Sequence, residues 1–270
     1  MIGNIHLNRS VKAVWKKVLL LAIVLFVFEL LFVLTARSAN IKADMIKDLD
    51  RMPPVMEKML GQGFVDVIVK YGILIFGFVH PFAFVPFILL MFMAISQMLT
   101  ADIASGAIGF LLSRPLSRRK IFFNMAVVIW TGLALLSLAL FLAPYLGILF
   151  FLEQQLTVAP FVNLSVNLYV VMLLISGYIA VFAAISDSGK KLFTYSGVMV
   201  LLFYLMELAA PLWSPLQWVA PVNPFRYYRP VELLMGQRID GSTASFLVLA
   251  SAALYVIAAQ LFHRRDISSG

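Results

Sequence analysis

Six long apolar runs constrain this chain more than any other feature: residues 18–36, 71–99, 121–143, 160–185, 192–212 and 244–262. A helix needs about 20 apolar residues to cross the hydrocarbon of a bilayer, and each run is that long or nearly so. Of 270 residues, 62% are hydrophobic and 13% charged, whereas soluble domains carry about 25% charged residues. A water-soluble fold would have no surface on which to spread so little charge. Lipid cannot satisfy a bare N–H or C=O, so a spanning segment is a helix or part of a closed barrel. The period-two alternation of barrel strands is missing. The expected fold class is an all-α integral membrane protein with six transmembrane helices, forming one domain over residues 1–270.

Two runs carry prolines that should distort them. The second is long and holds Pro81 and Pro86, which imply tilt or distortion. The third stays apolar through Pro144 as far as Leu152, implying a kink or an extra outer half-turn. The first run follows basic residues, and Ala36-Arg37-Ser38 weakly suggests a cleavage site. Its length exceeds an ordinary signal-peptide core and Glu29 lies inside it, so it reads as a retained anchor. There is no cysteine, which excludes disulfides, thiol nucleophiles and cysteine metal sites.

The net charge of +8 would suit nucleic acid in a soluble protein, but its distribution matters more than its sum. With the N-terminus inside, segments 1–17, 100–120, 186–191 and 263–270 hold 12 of the 21 Lys and Arg in 52 positions. Segments 37–70, 144–159 and 213–243 hold the other nine in 81 positions. Short, basic loops stay on the cytoplasmic side. Both termini are therefore expected in the cytoplasm, with lipid rather than nucleic acid as the surrounding partner.

The connecting segments have patterns of their own. Arg9, Lys12 and Lys16 oppose Val11, Val14, Trp15 and Val18, as in an amphipathic helix at the inner interface. On the outer side Ile41, Met45, Leu49 and Met52 recur at helical spacing among charges, giving one apolar face. Pro53-Pro54 should break that helix, and a second short one should follow until Gly61. Before the last run, Trp213, Trp218, Tyr227 and Tyr228 are interleaved with prolines and suit the outer headgroup level.

The loop 100–120 is the most informative connection. Ile103, Ala107, Phe110 and Leu111 fall at helical spacing, Gly106 and Gly109 lower helix stability, and Pro115 ends the pattern. By charge alone the loop is an anchor that fixes topology; by shape it is a short helix that could dock on a soluble partner.

The stretch Ser105–Phe122 resembles the cytoplasmic segment of ABC-2 type transporter permeases, in which a Gly-Thr pair precedes a leucine-rich turn and Leu-Ser-x-Pro-x-Ser-Arg. Here the pair is Gly106-Ala107, and the rest is Leu112-Ser113-Arg114-Pro115-Leu116-Ser117-Arg118. Segments 52–66 and 222–236 are similar to that family's first outer segment and to its stretch before the last span. Where the family is acidic ahead of the Gly-Thr pair, this chain offers Asp102 alone. The resemblance implies a permease subunit in the cytoplasmic (inner) cell membrane, moving a substrate with ATP hydrolysed elsewhere. It implies a coupling helix that docks on a separate nucleotide-binding subunit through Asp102, Ile103, Gly106, Ala107, Phe110, Leu111, Ser113, Arg114, Pro115, Ser117 and Arg118. A second permease chain, forming a homodimer, and an extracytoplasmic accessory protein are the other implied partners. ATP and Mg would belong to the partner subunit, with no cofactor in this chain.

Three ionisable residues interrupt the runs. Glu29, His80 and Glu207 lie 7, 9 and 5 residues from the expected outer ends, roughly 7–14 Å deep at 1.5 Å per residue. They either form a titratable cluster along a translocation path or gate, or are unrelated neutral residues bonded to neighbouring helices, with Glu207 reaching outward. Met45, Met52, Met56 and Met59 could suit Cu(I), though the same spacing serves an apolar helix face; no metal site is assigned.

Catalytic motifs are absent. Ser186–Phe193 contains Gly-Lys but lacks the upstream glycine and following Ser/Thr of a phosphate-binding loop, and reads as a two-lysine turn. The three histidines are far apart, without zinc-protease or nucleophile-elbow spacing. No enzymatic activity is expected of the chain. The competing reading is a non-transporting membrane scaffold that couples a cytoplasmic ATPase to an extracytoplasmic partner.

Overall fold

The structure is a computed structural model that describes residues 2–36, 38–49, 51, 53, 55, 63–100, 118–151 and 156–264. It is an all-α membrane protein with six helices long and apolar enough to span a bilayer, and no strand among the described residues. Its α-helices are α1 (Ile2–Ala36), α2 (Ala39–Leu49), α3 (Phe64–Tyr71), α4 (Phe76–Val79), α5 (Val85–Ile95), α6 (Arg118–Phe150), α7 (Ala159–Ile185), α8 (Gly189–Ala209), α9 (Pro230–Leu234) and α10 (Gly241–Arg264). The spans are Lys12–Ala36, Pro81–Leu99, Lys120–Phe150, Ala159–Ile185, Gly189–Ala209 and Gly241–Arg264.

Coupling-loop residues Asp102, Ile103, Gly106, Ala107, Phe110, Leu111, Ser113, Arg114, Pro115 and Ser117 lie outside the described residues. So do Met52, Met56, Met59 and most of the short helix expected before Gly61. Arg118 begins the backbone of α6.

α7 is the axis of the bundle. It packs along α10 and also touches α6, α8 and the segment before α9. α1 packs along α6. Its seam is Val14, Val18, Ala22, Leu25, Glu29 and Val33, all buried at spacings of three and four, while Leu19, Leu20, Ile23, Val24 and Leu31 stay exposed. In lipid the exposed face costs nothing, so the seam has to hold by close fit rather than by hydrophobic drive. Glycine provides the fit. A Cβ on Gly147 would collide with Val33 Cγ1, while one on Gly132 would crowd Leu90 of α5 at 2.9 Å and lie in ordinary contact with Val18 at 3.5 Å. Both pairs ascend by fifteen residues, so α1 and α6 run parallel.

The basic N-terminal stretch is helical as expected and runs without a break into the first span. Pro144 sits inside α6, which runs on to Phe150, beyond the expected end of the third span. One expectation is corrected. The second apolar run is not one helix. Gly72, at φ 58 and ψ −136, ends α3 in a conformation that a side chain would oppose. A 3₁₀ turn (Gly72–Ile75), α4 and a 3₁₀ turn at Pro81–Ala83 follow. His80 is extended, at φ −67 and ψ 134, as a residue before proline should be. Only Pro81–Leu99 crosses as a span. A π-helical turn, Ser96–Thr100, closes it.

The termini of the last two long helices are capped by side chains. Ser188 accepts the Lys191 N–H at the start of α8, just inside the expected two-lysine turn. Asp240 accepts the N–H groups of Ser242 at 3.2 Å and Thr243 at 3.0 Å, and both hydroxyls at 2.6 Å.

Two predictions follow from these contacts. Gly147→Leu should cost about 1–3 kcal/mol by overpacking, measured by denaturant unfolding in detergent. Gly197→Leu is the control, since nothing lies within 4 Å of a Cβ there; equal stability of the two variants would contradict the seam. For Asp240, the Ser242 and Thr243 hydroxyls first, then their backbone N–H groups, hold the carboxyl below its ordinary value. Its contribution is therefore complete above the usual aspartate range and vanishes as pH falls through the lowered value. Asp240→Ala should speed amide exchange at 242–243 at neutral pH, and the difference from the parent should close in acid.

Candidate functional site: a cavity at one end of the bundle

The segment between α8 and α9 folds as three 3₁₀ turns, Ser214–Trp218, Ala220–Val222 and Pro224–Tyr227, each with a proline in its first positions. Proline suits the start of such turns because its N–H is not needed there. Nothing in the turns themselves would hold them against the bundle, and two buried asparagines do so. Asn167 of α7 donates to the Tyr227 carbonyl at 2.9 Å and accepts the Arg229 N–H at 3.3 Å. Asn223 donates to the Phe203 carbonyl of α8 at 3.0 Å and to Glu207 Oε2 at 3.1 Å, and accepts the Phe225 N–H at 3.1 Å. Two tyrosines complete the attachment: Tyr71 donates to the Leu234 carbonyl and Tyr228 to the Phe78 carbonyl, each at 3.0 Å.

A cavity of about 1440 Å³ lies under this segment, walled by α2, α3, the broken run, α8 and α9. Its floor is aromatic. Phe84 sits 6.2 Å from the Tyr204 ring, 5.7 Å from Phe225 and 5.5 Å from Tyr228, all edge-on, a preferred arrangement of ring quadrupoles. Its rim carries both signs of charge: Asp48, Asp66, Glu207 and Glu232 against Arg51, Arg226 and Arg229. Arg229 pairs with Glu232 at 3.2 Å in an exposed position, a bridge worth about 0–1 kcal/mol. Burial pushes the Tyr228 phenol well above its ordinary value.

The three ionisable candidates separate here. His80 and Glu207 both line the cavity. His80 stacks on Phe82 at 5.2 Å, and its Nδ1 accepts the Phe82 N–H at 3.3 Å, capping the 3₁₀ turn at Pro81. Glu207 is held by Asn223 and feels Arg226 and Arg229. Glu29 is 2% exposed and stands behind the wall, against Gly77 of α4. The structure does not bring the three into one cluster.

Other expectations shift with tertiary contact. Trp213 and Trp218 are exposed, as headgroup-level residues should be, and the Tyr227 hydroxyl stays in an exposed bond to the Pro221 carbonyl, but Tyr228 turns inward. Met45 packs partly buried on the core and lines the cavity. Among the described residues no group of three or more His, Asp or Glu could hold a metal ion.

Asn167, Asn223 and Tyr228 carry this site, and the two asparagines were not singled out from sequence. A signal existed for Asn167, a polar side chain within an apolar run, where such groups are usually satisfied by another helix or segment. No family model matches this chain, and no curated protein matches it.

Asn167→Ala should release the Tyr227 and Arg229 backbone groups at a cost of roughly 1–3 kcal/mol. Faster protease cleavage between α8 and α9 is the readout; Asn163→Ala, one helical turn away, should leave the rate unchanged.

Proposed function

We propose that this chain is the membrane-spanning permease subunit of an ATP-driven transporter of the ABC-2 type. The observation that carries the reading is the cavity itself. It enters one end of a six-span bundle, has an aromatic floor and a rim of mixed charge, and can hold a solute at the membrane boundary. The basic loop 100–120 connects the second and third spans, and the described residue before it, Thr100, is at the end of the second span away from the cavity. In this reading that loop faces the cytoplasm with both termini, in the inner cell membrane. The three ABC-2-like stretches in order, around residues 52–66, 105–122 and 222–236, support it.

The motor is a separate nucleotide-binding subunit that holds ATP and Mg, gripping residues 103–112, where the ABC-2 resemblance puts the coupling segment. A second copy of this chain completes the path. α8 leaves room for it, since Phe193, Val198, Leu201, Leu202 and Leu205 are exposed and, of the long helices, α7 is its main neighbour. Closing and opening of the ATPase pair then rocks the bundle and changes access to the cavity.

The test is co-purification in mild detergent, then reconstitution with any P-loop subunit that co-elutes. Flux coupled to ATP hydrolysis is expected; hydrolysis without flux would favour the scaffold. Phe110→Asp or Leu111→Asp should weaken docking by about 2 kcal/mol or more, as at an interface hot spot, roughly thirtyfold in affinity. Unchanged coupling in both variants would remove the docking assignment.

A further inference from the structure

Glu29 is a buried group that the transport reading does not use. It takes a core position in the α1 seam, is 2% exposed, and its Oε1 has no hydrogen-bond partner among the described residues. The position is built for a carboxyl. A Cβ on Gly77 would fall on Glu29 Oε2, so the absence of a side chain at Gly77 is what admits the group.

Among the described residues the surroundings offer no counter-charge. From the broken run, His80 faces α1 through Phe28, its ring 6.4 Å away, and its Nδ1 is already engaged with the Phe82 N–H. From the segment before α9, Tyr228 is within electrostatic reach, but its hydroxyl hydrogen goes to the Phe78 carbonyl. The α6 seam carries buried Leu136, Leu140 and Ala143; Tyr145 stacks on Phe141 at 5.4 Å, and Arg118, Arg119 and Lys120 are at the far end of that helix. On α2, Asp44, Lys47 and Asp48 are exposed. The ion pairs among described residues do not include Glu29. An ionised carboxylate there would cost several kcal/mol, whereas a neutral acid would not.

We propose that Glu29 is a proton-binding site behind the cavity wall, carrying a proton while it rests on Gly77 and releasing it to cavity water when the 76–83 segment moves away. The wall between Glu29 and the cavity is thin: Phe76, Val79, His80 and Tyr228 line the cavity, and Gly77 and Phe78 lie between them in sequence. Phe28 also touches the Phe82 ring, with centroids 6.5 Å apart, so a shift of this shoulder of α1 moves the His80–Pro81 break with it. Proton release favours the displaced wall, and proton uptake the closed one, since a ligand shifts an equilibrium only by its differential affinity for the two states.

Dicyclohexylcarbodiimide, an apolar reagent that attacks carboxylic acids rather than carboxylates, tests this on the purified full chain in mild detergent, with adducts located by peptide mass spectrometry. The expected result is an adduct on Glu29 in mild acid that is lost as pH rises, is unaffected by sodium, and is absent from Glu29→Gln. Gly77→Ala should lose it too, while Gly197→Ala keeps it. Protection by sodium would replace the proton with a metal cation and overturn the proposal, and labelling that ignores pH would overturn the link to release. An infrared acid-minus-alkaline difference spectrum of the unmodified chain provides a readout that needs neither reagent access nor a folded variant. Absence of a protonated-carboxyl C=O band there, together with no adduct, would also overturn the proposal. Neither measurement involves an ATPase, so the outcome stands apart from that of the transport reading.

Discussion

A helix that is interrupted inside a membrane protein leaves backbone groups that lipid cannot satisfy, and the interruption of the second apolar run sets the terms for the rest of this structure. Gly72 turns the chain out of α3, and Pro81 and Pro86 bring no N–H of their own. The resulting needs are met from two places. His80 supplies its own Nδ1 to the Phe82 N–H, and Tyr228 reaches across from the far segment to the Phe78 carbonyl. Because one of those partners lies 150 residues away, the break also recruits the segment before α9 onto the bundle. The cavity is the space left between the two.

The same economy governs how helices are joined elsewhere. Within lipid, apolar side chains gain little by leaving it, so close approach and buried polar contacts hold the spans together. The α1–α6 seam uses close approach at Gly132 and Gly147. Between α7 and α10 the means are polar: Ser251 donates to the Leu173 carbonyl at 2.6 Å, and Tyr255 to Ser176 Oγ at 3.3 Å. α8 has few such contacts and is the least buried of the spans, which fits a helix whose other face meets lipid or a second copy.

How far the sequence could be read depended on whether a property belongs to a segment or to a pair of segments. Span positions were legible because hydropathy is summed over twenty residues, and the ends moved by three residues or fewer except at the start of the first span, the start of the second and the end of the third. In the second run the prolines announced a distortion, but hydropathy alone could not tell an intact helix from a broken one buried in protein. The inward turn of Tyr228 was equally hidden, since an aromatic ring with a polar tip suits either the headgroup layer or a carbonyl partner. Asn167 and Asn223 were overlooked for a related reason: their partners are backbone groups, which leave no pattern of residue types.

By itself the sequence determined that this is a multi-pass, all-α membrane protein with Lys and Arg densest in four short segments, because backbone hydrogen bonding in lipid and the length of an apolar run depend on local composition. Tertiary structure decided which ionisable residue faces what. His80, Glu207 and Glu29 were expected at similar depths, yet His80 precedes the second span, His80 and Glu207 line the cavity, and Glu29 rests on Gly77. Depth follows from counting residues along a helix only where the helix is unbroken. Rotation about the axis follows from the neighbours it packs against, and in α1 the close fit of Val33 onto Gly147, more than a hundred residues away, helps to set it.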